Sequence, residues 1–210
     1  MRLVVGLGNP GLKYQGTRHN VGFSVMNVLC ARWGLSAARA QHGALVSTGS
    51  FQGQDVSLSL PQQYMNRSGR PVFDLMTERA VPINDLIVVH DDMGLPFGAI
   101  RCKMGGGHGG HNGLRDLFEH IGRDFLRVRV GIGRPEGNEG TVDFVLGKWS
   151  EAEKATLPEI LQASCEAIEI MISKGATAAM NLFNVRPNRV RTPFSPNSSQ
   201  QGPDEVVQEQ

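Results

Sequence analysis

The sequence predicts an α/β fold: a single-domain, three-layer arrangement in which a mixed, twisted β-sheet is flanked by helices. Three observations predict it. Glycine- or turn-bounded apolar runs, Leu3-Val4-Val5 and Leu86-Ile87-Val88-Val89, have the length and β-branched content of buried strands. Segments with helical spacing are mixed with such strands along the chain, without an internal repeat. The 210 residues, 40% of them hydrophobic, suit one sizeable core.

Residues 2–7 read as the first strand, feeding a glycine turn. Val21, Val25, Val28, Leu29 and Trp33 recur near helical spacing, so residues 20–33 read as a helix stopped by Gly34. Ala44–Phe51 and Asp55–Leu60 alternate around Gln52-Gly53 and predict a hairpin. A helix is expected from about Pro71 to Arg79. Asp85–His90 and Ala99–Lys103 read as strands, and Gly105–Gly113 is too glycine-rich for regular structure. Leu114–Ile121 reads as a short helix. Phe125–Ile132 puts Leu126, Val128, Val130 and Ile132 on one face and Arg127 and Arg129 on the other, as in a half-buried strand. Ser150-Glu151-Ala152-Glu153 fits a capping box, and Pro158 is expected to interrupt the helix it opens, with a second helix running to Gly175. Ala176–Phe183 reads as a last helix. The expected organisation is a domain over 1–192 and a disordered polar tail over 193–210.

The net charge of +1 hides a segregation. No acidic residue precedes Asp55, while Arg2, Lys13, Arg18, Arg32 and Arg39 do. From Ile170 to Pro203 only basic charges occur, and Arg101 to Arg134 is rich in arginine. Clustered cations favour an anionic partner such as nucleic acid, against the blander reading of a scattered solubilising surface. The 3 cysteines are unpaired in pattern, no apolar run reaches membrane-spanning length and no signal peptide is evident. A cytoplasmic protein with reduced thiols and no membrane association is expected.

Several chemistries fail on context. Gly6-Leu7-Gly8-Asn9-Pro10-Gly11 matches a dinucleotide-binding glycine pattern, but no helix opens promptly after it and no acid is available for a ribose before Asp55. Neither G-x-S-x-G nor H-E-x-x-H occurs. Cys102, His108, His111 and Asp91 or Asp92 form no standard zinc spacing, so no metal is expected. What remains is water activation by histidine, aspartate and asparagine. His19 lies in a polar loop and reads either as a surface residue or as a general base. Asp91 ends an apolar strand and reads either as a turn former or as a partner for His19, should the two strand ends be neighbours. Asn9, Asn66 and Asn112 each lie in a glycine-containing loop, as turn formers or as amides for substrate.

GLGNPG with Tyr14 and Thr17-Arg18-His19-Asn20, then Tyr64-Met65-Asn66 before Ser68-Gly69, then His90-Asp91-Asp92 and Leu95-Pro96, resemble bacterial peptidyl-tRNA hydrolase. So do Lys103 with Gly105–Arg115, Arg129-Val130-Gly131-Ile132-Gly133-Arg134-Pro135 and Asp143-Phe144-Val145-Leu146-Gly147. The resemblance covers about Met1 to Val190. It implies a monomeric, cytoplasmic, cofactor-free esterase that frees tRNA from peptidyl-tRNA. It further implies His19 as general base, Asp91 as its stabiliser, and Asn9 as the group that separates N-blocked from free aminoacyl-tRNA. Tyr14, Tyr64, Asn66 and Asn112 are implied as substrate contacts, Met65 and His111 as site walls, and Lys103 and Arg129 as tRNA-phosphate positions. Two departures stand out: Gly94 replaces an aspartate found in some members, and the loop Glu136-Gly137-Asn138-Glu139 lacks a lysine found in others. The alternatives are a non-catalytic RNA-binding relative, against which Asn9, His19, Asp91 and Asn112 all being present argues, and an esterase of other substrates, against which the basic segments argue.

Overall fold

The computed structural model describes residues 1–135, 137 and 140–185. The loop around Glu136, the terminal arginines and the expected tail at 193–210 lie outside the described residues. The strands are β1 (Arg2–Gly6), β2 (Arg39–Gln41), β3 (Ala44–Phe51), β4 (Gln54–Pro61), β5 (Leu86–Asp92), β6 (Ile100–Met104) and β7 (Leu126–Gly131). The helices are α1 (Val21–Arg32), α2 (Gly69–Glu78), α3 (Asn112–Ile121), α4 (Thr141–Leu146), α5 (Glu151–Lys174) and α6 (Ala176–Phe183). One mixed sheet runs in the order β2-β3-β4-β1-β5-β7-β6. The expected three-layer α/β fold is what forms.

β1 is central because its residues are apolar on both faces. Val4 faces the core built with α1, α5 and α6, while Leu3 and Val5 face the one built with α2 and α3. Each such side chain, removed from water, contributes about 1.5–3 kcal/mol. β1 runs parallel to β4 and β5, with Gly6 opposite Val89. Leu7 extends the contact by donating its N–H to Val89 O at 2.9 Å. The chain segments after β1 and at the end of β5 therefore emerge at one sheet edge, where open α/β sheets gather their functional loops.

Gly8 and Gly22 serve packing. A Cβ on Gly22 would sit 2.5 Å from Leu7 N, and one on Gly8 would meet the Phe23 ring at 2.6 Å. These residues let α1 lie directly against the end of β1, so the reading of a nucleotide cradle has no geometric basis there.

Three expectations are corrected. Pro158 does not divide the helix: α5 is continuous through it. Both Pro158 and Lys154, whose carbonyl loses its partner, are exposed, so water satisfies that group. Downstream, Ile160, Cys165, Ile168 and Met171 are buried and hold the helix on the sheet. Second, β7 is not half-buried: Arg127 is 2% exposed. Third, β2 and α4 form where no element was expected, being too short to carry a period of their own.

Candidate active site

His19 lies on a short 3-10 turn, Arg18–Asn20, that leads into α1. Its Nδ1 is 2.8 Å from Asp91 Oδ1, and both residues are buried. The same carboxylate oxygen lies 3.0 Å from His111 Nε2. His111 caps α3 by accepting the Leu114 N–H on Nδ1 at 3.3 Å. That bond requires a lone pair on Nδ1, so the His111 proton is on Nε2 and points at Asp91. Burial would raise the Asp91 carboxyl, but His111 and then His19 outweigh it and hold the group well below the usual carboxylate range. An ionised Asp91 only accepts, so His19 also donates to it, through Nδ1. The His19 Nε2 lone pair is left unprotonated. This is the tautomer a general base needs.

His90 backs the same cluster. It donates from Nδ1 to Asp91 O at 2.7 Å, and its ring stands 5.1 Å from that of His111. Burial, followed by the nearby His111, holds its pKa down to about 3, so His90 is neutral in the working range.

Asn9 is fixed from three directions. Asn20 Oδ1 accepts the Asn9 N–H, and Asn20 Nδ2 donates to Asn9 O, each at 2.8 Å. Asn9 Oδ1 accepts the Met65 N–H at 2.7 Å. Because Met65 N can only donate, the Asn9 amide is oriented with its oxygen spent and its NH₂ group available. Arg18 anchors the turn from outside: it bonds Glu153 Oε2 at 2.8 Å and Oε1 at 3.3 Å, and lies over the Phe144 ring at 4.5 Å. Glu153 is also the N3 residue of the α5 capping box. The expected capping box thus also ties α5 to the His19 turn.

The structure brings together His19, Asp91, His111, Asn9 and Met65. Tyr14 and Tyr64 meet edge to face at 6.3 Å, with Tyr64 58% exposed. Asn66 and Asn112 are exposed, and Asn112 accepts a 3.3 Å bond from Arg115. Lys103 is exposed on β6 and lies opposite Arg127, whereas Arg129 is paired with Asp92 at 2.7 Å. The residues not singled out from sequence as site residues are Arg18, Asn20, His90 and Arg127. Asn20 and His90 adjoin site residues, which was a usable signal. Arg127 gave a misleading one, because strand alternation placed it with the solvent-facing residues.

Cys102 does not join the histidines; it is buried, and burial pushes its thiol up to about 12. Among the described residues, His19, Asp91 and His111 are the one gathered set that could offer metal ligands, with candidate atoms within 4.8 Å of one another. Their separations are hydrogen-bond lengths, and the tautomers just derived put protons rather than lone pairs between them.

A buried His–Asp pair at the C-terminal edge of parallel strands, with an oriented amide donor nearby, defines an α/β protein with a site suited to activating water. The chain belongs to the peptidyl-tRNA hydrolase family, whose sequence model matches residues 3–191. It is 49% identical over 187 residues to the peptidyl-tRNA hydrolase of Syntrophotalea carbinolica, covering 89% of this chain and 98% of that one. The Nocardia farcinica enzyme is 47% identical over 181 residues, covering 85% and 94%. The crystal structure of peptidyl-tRNA hydrolase from Acinetobacter baumannii superposes with a TM-score of 0.82 at 37% identity, covering 88% of this chain and 94% of that one.

Proposed function

We propose that this chain hydrolyses the ester between a peptide, or N-blocked aminoacyl group, and the tRNA ribose, with His19 as general base. Family membership carries the reaction. The 2.8 Å His19–Asp91 contact, which leaves Nε2 free, carries the base assignment. His19 Nε2 takes a proton from water as the water oxygen attacks the ester carbonyl. Asp91 stabilises the resulting imidazolium. The tetrahedral oxyanion collapses, the ribose oxygen leaves and recovers the proton from His19. The products are a carboxylic acid and free tRNA. General-base help of this kind contributes roughly 10²–10⁴-fold.

Asn9 selects the substrate in this reading. Its free NH₂ donors suit the carbonyl of a blocked amine, whereas a free α-ammonium offers no acceptor. Asn66 supplies a donor to the oxyanion, an interaction worth about 3 kcal/mol when well placed. Tyr14, Tyr64 and Asn112 form the rim that receives the peptide and acceptor end. Met65 and His111 wall the site, and Lys103 and Arg129 meet tRNA phosphates. No cofactor takes part. The protein acts in the cytoplasm, a reading supported by the free thiols of Cys30, Cys102 and Cys165, and as a monomer, as the family resemblance implies. No helix among the described residues is long and apolar enough to cross a membrane.

The test is turnover of N-acetyl-aminoacyl-tRNA beside free aminoacyl-tRNA by the purified chain. Release from the first with sparing of the second is expected. Equal release from both contradicts the role given to Asn9.

A further inference from the structure

Arg127 is a buried cation whose polar partners among the described residues are backbone carbonyls. It donates to Gly107 O and Gly106 O, each at 2.8 Å, and to Arg123 O at 3.4 Å. Its guanidinium lies 5.0 Å from the ring centroids of both Phe118 and Phe125. Burying a charge without an ionic partner is costly, so the contact with the glycine loop calls for a purpose.

Peptide geometry supplies one. In a trans peptide the C=O points opposite to the N–H of the next residue. No cis bond is present among the described residues. Two consecutive carbonyls, Gly106 and Gly107, both point in at Arg127. The N–H groups of Gly107 and His108 therefore both point out. Neither has an acceptor among the described residues. Gly107 is exposed, and a Cβ built on it meets nothing within 4 Å.

Both signs of charge flank the loop: Asp124 Oδ1 would lie 3.2 Å from a Cβ on Gly105, and Lys103 stands over Gly106. Lys103 is the direct cross-strand partner of Arg127, and like charges in that relation repel. Lys103 lies over the same loop, since a Cβ on Gly106 would come within 2.6 Å of its Cε. Adjacent outward N–H groups beside an ammonium are the donor arrangement that anion sites use.

We infer that Arg127 is a positioning residue that turns the Gly106–His108 backbone into a phosphate-binding N–H pair beside Lys103, engaging the RNA backbone of the substrate. The inference rests on the tRNA reading of Lys103 and adds main-chain donors and their organiser to it. Arg127 touches no substrate; it acts through the loop. Lysine cannot replace it, because one ammonium lacks the planar fork that reaches both carbonyls at once.

The test uses the full chain, ¹⁵N-labelled, titrated with inorganic phosphate, beside steady-state kinetics on N-acetyl-aminoacyl-tRNA. The Gly107 and His108 amide resonances are expected to shift saturably in the unaltered protein. In Arg127→Lys, phosphate affinity is expected to weaken and KM to rise, each by about tenfold for one lost charge-assisted bond, with kcat held. Gly107→Pro removes one of the N–H groups at an exposed site and is expected to act the same way, which keeps the test available should Arg127→Lys not fold. Unshifted Gly107 and His108 amides at saturating phosphate overturn the inference. So does a fall in kcat at unchanged KM and phosphate affinity in a folded variant. The titration needs no turnover, so a failure of hydrolysis and a failure of this anion site are read separately.

Discussion

The His19 side of the site and its tyrosine–asparagine rim use similar polar side chains, yet the fold treats them in opposite ways. On the His19 side, Asn9, His19, Asn20 and Asp91 are all buried, and each holds a named partner. On the rim, Tyr64 and Asn112 are exposed. Bond making and breaking need groups already aimed, since reorganisation during reaction costs rate. Recognition of a large, varied substrate needs groups whose hydrogen bonds are still available. The difference predicts that damage to the buried side lowers kcat, while damage to the rim raises KM.

The sharpest way to break that comparison after His19 itself is Asp91→Asn. The amide leaves the His19 tautomer unspecified and the imidazolium unstabilised. We expect kcat to fall on the order of 10²–10⁴-fold in steady-state assays, with tRNA affinity kept. Asn20→Ala removes both bonds that fix Asn9. A loss of about 10- to 30-fold in kcat/KM is expected, with poorer discrimination against free aminoacyl-tRNA. If discrimination stays intact in that variant, Asn9 is held by other means. Tyr64→Ala should raise KM by about two- to tenfold and spare kcat; a selective fall in kcat would move Tyr64 to the buried class.

A smaller effect separates stability from chemistry. His90 is held to about 3 in the folded chain, against 6.5 for the free side chain. Between those values the unfolded chain binds the extra proton. The His90 contribution is therefore complete above about 6.5 and is lost as pH falls toward about 3. Asp91 adds to this at lower pH, because its depressed pKa gives stability that is present above the unfolded carboxylate value and lost below it. Urea denaturation across this range should show the decline, and His90→Gln should flatten its upper part. Deletion of residues 193–210 is expected to change neither turnover nor stability.

Much of this was legible from particular residues. The runs Leu3–Val5 and Leu86–Val89 identify the central strands because burial on both faces demands continuous apolar sequence. The His19–Asp91 pairing needed one condition, adjacency of those strands, and the register of Gly6 with Val89 meets it. What could not be read was how polar side chains spend their bonds. The reciprocal Asn9–Asn20 pair depends on a turn whose path the sequence does not display. Arg127 read as solvent-facing because alternation reports which face a residue takes and says nothing of what covers that face. Pro158 read as a break because its cost depends on whether the freed carbonyl meets water, which is a matter of placement in the fold.

The central claim is that His19, aimed by Asp91, activates the attacking water. The direct measurement is kcat of His19→Ala on N-acetyl-aminoacyl-tRNA, with tRNA binding measured on the same sample. A fall of about 10²-fold or more with binding retained is predicted. Turnover at the unaltered rate in a folded, tRNA-binding His19→Ala protein would contradict it.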